Sequence, residues 1–92
     1  MSLTDAGRRL LENYLQLEAG QRPEGRWPEV FSTRMVDVLV GGVSARAMVL
    51  QAGDGGARAA AKRLEKDGYA IVRWNTERLL IITDAGRAAV GA

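Results

Sequence analysis

The chain contains no cysteine and no histidine. The first absence excludes any disulfide staple and any thiolate metal site. The second removes the commonest general base and the commonest metal ligand together. No apolar run approaches the roughly 20 residues needed to span a bilayer, so no membrane partner is expected. The opening "MSLTDAGRRL" lacks the apolar segment of a signal peptide, which leads us to expect a cytoplasmic protein. No Ser–His or Cys–His couple can be assembled. Asp54, Glu65, Asp67, Glu77 and Asp84 all read as turn, cap or surface residues. The glycine-rich "GDGG" at 53–56 is followed by no Lys-Ser/Thr pair, so it is no phosphate loop. We therefore expect no enzyme activity and no cofactor or metal.

What is present suits one small domain. The chain has 92 residues, 47% hydrophobic and 26% charged, a balance typical of globular proteins. Its net charge is only +2. Residues 1–53 carry six basic and six acidic side chains, whereas 54–92 carry seven and five. The basic excess thus falls in the C-terminal part.

"LTDAGRRLLENYLQLE" predicts an N-terminal helix over 3–18, with Thr4 as cap and Asp5 in the first turn. "QRPEGRWPE" reads as a loop over 20–28. A second helix is expected from near Pro28, with Phe31, Met35, Val38 and Leu39 as its buried stripe and Gly41–Gly42 as its stop. "SARAMVLQA" predicts a third, short helix capped by Ser44. A tight turn at 53–56 leads to a fourth, stopped by Gly68. "YAIVRW" and "RLLIIT" then predict a hairpin over 69–83, and "TDAGRAAV" a last helix over 84–90. The pentapeptide "TDAGR" occurs at both ends of the chain. We read the repeat as one physical solution used twice: threonine cap, aspartate in the first turn, and small residues where a helix packs closely.

The fourth helix is small on one side and basic on the other. At 100° per residue, Ala57, Ala60, Ala61 and Leu64 share a face. Lys62 and Lys66 lie opposite, with Arg58 and Arg63 at the shoulders. Two short helices joined by a glycine turn form a helix-turn-helix over 44–67. The hairpin after it would serve as a wing, with Arg73 and Arg78 near its two ends and Asn75 and Thr76 at its tip.

Three pieces in this order resemble a winged helix-turn-helix domain of the MarR/PadR kind. "VSARAMVLQAGDGGARAAAKRLEKDGYAIV" is similar to that family's helix-turn-helix, "RWNTERLLI" to its wing, and "ITDAGRAAV" to its strand-to-helix "LT..G" motif. The resemblance covers residues 43–90. It implies an α+β, mostly α fold over 1–92. It also implies a small double-stranded-DNA-binding transcriptional regulator, of bacterial or phage origin, acting as a homodimer. The expected DNA contacts are Arg58, Lys62, Arg63 and Lys66 on the helix, Arg73 and Arg78 on the wing, and Arg46 at a flanking phosphate. The sequence departs from the family at the start of the recognition helix, where Gly55, Gly56 and Ala57 replace base-reading side chains. A second expectation therefore stands beside the first: an interaction module that grips a host protein, anchored by Trp27 with Arg22 and Arg26.

Overall fold

The computed structural model describes residues 3–21, 32, 34–50, 55–74 and 77–91. In chain order these form α1 (Asp5–Glu18), β1 (Met35–Val40), β2 (Val43–Leu50), α2 (Gly55–Lys66), β3 (Ala70–Trp74), β4 (Arg78–Ile82) and α3 (Asp84–Ala89). The strands make one antiparallel sheet in the order β1-β2-β4-β3. Helices α1 and α2 pack on one of its faces.

This corrects the expected fold. The protein is α+β with comparable helix and strand content, not mostly α, and its described residues form no helix-turn-helix. The segment expected as that motif's first helix, from Ser44, is strand β2, and the end of the expected second helix is strand β1. The reason is a turn. Gly41 and Gly42 both take positive φ, 58° and 82°, the pair of left-handed residues that a two-residue hairpin turn requires. Val40 and Val43 face each other across it. A glycine pair between β-branched residues closes a hairpin rather than ending a helix. The later hairpin forms inside the two expected runs, as β3 paired with β4.

Cross-strand register assigns the faces. Met35, Met48, Leu50, Ala70, Val72, Leu80 and Ile82 point to the helices and join Leu10, Leu11, Tyr14 and the α2 alanines in the core. Ala57, Ala60, Ala61 and Leu64 are all at most 6% exposed. With so little side chain on that stripe, α2 can lie close to both α1 and β3. The opposite face of the sheet is also apolar: Val36, Val38, Ala45, Ala47, Val49, Leu79, Ile81 and Ile71, with Arg73 among them. Strand β2 meets β4 only over Met48–Leu50, so the rest of the β1–β2 ribbon projects beyond the sheet. Arg73 on β3 donates to the Leu39 carbonyl on β1 at 2.5 Å. Those are the two outer strands. On a flat sheet they would stand about 14 Å apart, beyond an arginine's reach. The ribbon is therefore curled over the second face.

The two "TDAGR" segments do the same work. Thr4 Oγ1 accepts from the Gly7 amide at 3.0 Å and Thr83 Oγ1 from the Gly86 amide at 3.1 Å. Each N-cap satisfies one of the free amides of a helix start. The glycine is required for packing. A Cβ on Gly7 would stand 3.1 Å from the Leu64 side chain, and one on Gly86 only 2.2 Å from the Tyr69 carbonyl oxygen. The Thr83 hydroxyl also donates to the Gly68 carbonyl at 2.7 Å, stitching α3 to the turn that follows α2.

Two further ties hold α1. The Asn13 amide pairs with both main-chain groups of Ser32, at 2.9 and 3.0 Å, so that two buried residues satisfy each other. At the other end, Arg87 of α3 donates two hydrogen bonds to the Glu18 carboxylate, at 2.5 and 2.6 Å. This fork holds the Glu18 pKa below the ordinary glutamate range and raises that of Arg87. Burial raises the Tyr14 pKa, and its hydroxyl donates to the Arg46 carbonyl at 2.7 Å.

Two outcomes are expected. Gly86→Ala must push main chain aside and should cost about 3 kcal/mol in chemical denaturation, while Gly7→Ala, which meets only side chains, should cost about 1 kcal/mol. Equal losses would remove the close approach at Gly86 as the cause. Glu18→Gln should cost about 1 kcal/mol at neutral pH, since the pair is partly exposed and screened. Because the folded Glu18 pKa is lowered, its stabilisation is present above the unfolded value and is lost as pH falls through the folded one. Wild type and variant should therefore converge in acid melts once pH has fallen below the ordinary glutamate range and through the lowered folded pKa. A difference that persists there would mean the fork acts by packing rather than by charge.

Candidate functional site

Helix α2 carries Arg58, Lys62 and Lys66 at four-residue intervals, which places them in one row on its exposed side. Strand β3 brings Trp74 against this row. The Arg58 guanidinium lies 5.8 Å and the Lys62 ammonium 5.9 Å from the centre of the indole ring. The indole N–H donates to the Glu65 carboxylate at 3.3 Å. Arg78 is the cross-strand neighbour of Trp74 on the same face of the sheet, and it is half-buried. Two cations and one carboxylate thus meet at one tryptophan, with Arg78 beside it in the sheet and Lys66 one helical turn beyond Lys62.

Magnitudes argue against stability as the reason for this arrangement. An exposed cation–π contact contributes about 0.5–1 kcal/mol. Like charges four residues apart on a helix cost a few tenths of a kcal/mol per pair. The helix dipole opposes Arg58 near the start of α2 and favours Lys66 in its last turn. The terms nearly cancel, so the row adds little to folding while concentrating positive potential over an aromatic platform.

The other expected DNA contacts do not join this cluster. Arg63 turns to the α1 side, where its guanidinium pairs with Asp67 at 3.0 Å. It borders a shallow depression of about 300 Å³ lined by Thr4, Ala6, Gly56, Ala59 and Ala60. Arg73 lies on the second face of the sheet and is engaged with Leu39. Arg46 sits in register with Asp37 on the ribbon, close enough to Glu18 and Tyr14 to bias their titration. The expected partner anchors Arg22, Arg26 and Trp27, like Asn75 and Thr76 of the expected wing tip, lie outside the described residues.

A second surface is apolar. Leu39 and Val43 at the tip of the ribbon are 64% and 69% exposed, and Ile71 on the second sheet face is 43% exposed. Among the described residues there is no cluster of three or more His, Asp or Glu side chains able to hold a metal ion, and no helix long and apolar enough to cross a membrane. No family model, curated protein or solved structure matches this chain.

Reading the sequence missed Trp74 as the centre of the cluster and Glu65 as its partner. The helix wheel showed the basic row. It could not show which strand residue lies against it, because that depends on the turn at 67–69 and on how β3 enters the sheet.

Proposed function

We propose that this chain is a small DNA-binding regulator that grips the double-stranded DNA backbone with the α2 row. The observation that carries the reading is the convergence of Arg58 and Lys62 on Trp74, with Lys66 continuing the row and Arg78 beside it. From Arg58 to Lys66 the row spans about 12 Å, close to the width of the major groove. A helix lying across that groove brings a cation to each flanking backbone. No helix-turn-helix presents α2. The curled sheet does so instead, holding the helix outermost on its buried alanine stripe. The exposed face of α2 near its start offers Gly56 and Ala59 rather than hydrogen-bonding side chains. Binding therefore rests on phosphates, and sequence preference is weak.

A second reading has its own support. Exposed Leu39 and Val43 on a projecting ribbon are the kind of apolar tip a protein partner, including a second copy of the chain, would cover. Loss of self-association or of a captured protein in Val43→Lys, with DNA binding unchanged, would favour this second reading.

The first reading predicts a salt slope. Three phosphate contacts give a slope of about −2.7 in log K against log salt. Affinity for a mixed-sequence duplex, measured by fluorescence anisotropy, should fall about 40-fold between about 50 and 200 mM salt. Lys62→Ala should weaken binding to every sequence and flatten the slope by about 0.9. A slope unchanged in Lys62→Ala and Lys66→Ala would take α2 out of the interface.

A further inference from the structure

We infer that Glu65 is a built-in competitor that occupies the anion position of the α2 cluster in the free protein and must leave it when a polyanion binds. The inference rests on the α2 row being the polyanion interface. Glu65 is the one carboxylate of α2. It stands three residues after Lys62 and seven after Arg58, so it shares their side of the helix. Its oxygen takes the indole N–H of Trp74. That is a neutral hydrogen-bond donor among the cations, and a phosphate oxygen arriving over the ring would accept from the same group.

The contact is suited to exchange. It is solvent-exposed and long at 3.3 Å, and interactions of this kind contribute at most about 1 kcal/mol in water. Its loss does not endanger the fold, since Glu65 is exposed. A bound phosphate meets three effects at once: attraction by Arg58 and Lys62, repulsion by Glu65, and competition for the indole N–H. Removing the charge of Glu65 abolishes the repulsion and frees one cation's worth of potential. Glutamine keeps the shape and the hydrogen-bond acceptor, so Glu65→Gln isolates the charge.

The test compares wild type, Glu65→Gln and Asp37→Asn for binding to a mixed-sequence duplex. Asp37 is an exposed carboxylate on the ribbon, so its loss changes net charge equally but elsewhere. Glu65→Gln should bind about 5-fold tighter at about 50 mM salt, and the gain should shrink to about 2-fold at about 200 mM as screening shortens the reach of the Glu65 charge. Asp37→Asn should shift affinity less than 2-fold by the same measure. Placed in a Trp27→Phe background, where Trp74 is the remaining tryptophan, the indole N–H proton resonance should move on adding duplex to the wild type. An equal gain in Asp37→Asn would reduce the effect to bulk charge and overturn the inference. So would wild-type binding that depends on Lys62 but is not strengthened by Glu65→Gln; the interface reading would then survive alone. No binding by wild type or Glu65→Gln at low salt would sink both.

Discussion

Three residue pairs hold the molecule together. Met48–Leu80, Val49–Leu79 and Leu50–Arg78 are the strand pairs that join the β1–β2 hairpin to the β3–β4 hairpin. Neither hairpin is expected to stand alone in water, since two strands bury too little. The junction makes them one sheet. The side chains of its first pair, Met48 and Leu80, are fully buried beneath the helices. A pairing of residues some 30 apart in sequence must be formed before the core rewards it. Folding is thereby tied to a long-range contact rather than to local helix formation.

The rest of the packing follows from that short junction. Because β2 pairs with β4 for only three residues, its other half is free to leave the plane of the sheet, and it curls over the second face until Leu39 meets Arg73. On the other side, α2 has to lie close to α1 and β3, and a stripe of three alanines and one leucine lets it do so. The caps at Thr4 and Thr83 serve the same end. Each starts its helix where the third residue on, a glycine, lies close to a neighbour: main chain that excludes a methyl group at Gly86, and the more yielding Leu64 side chain at Gly7.

The same closeness shapes the charged surface. A helix that buries three alanines and a leucine on one side presents its long polar side chains on the other. The strand following α2 turns back beneath that exposed row and delivers Trp74 to it. Cations, indole and Glu65 then adjust to one another at distances where each interaction is weak. A weak, crowded arrangement of this kind is easily reorganised by a ligand with more charge than any single side chain.

Local chemistry was sufficient for part of this. Thr-Asp-x-Gly at 4–7 and 83–86 specified two helix starts, because a cap bond closes within three residues. The alanine and lysine faces of α2 could be placed by helical period alone, and so could the β-prone runs that became β3 and β4. The segment from Met35 to Leu50 could not. Its alanines and methionines satisfy a helical period, which outweighed the short alternation of Asp37, Ser44 and Arg46 with the apolar residues between them. The second local sign was Gly41–Gly42 between valines, a hairpin turn where a helix stop was expected. Tertiary structure decided that both sheet faces are apolar and that Arg73, Arg46 and Arg63 point away from the α2 row. It alone placed Trp74 and Glu65 within it. Those outcomes depend on strand order and on the curl of the ribbon, set by contacts between residues far apart in the chain, and no local period carries that information.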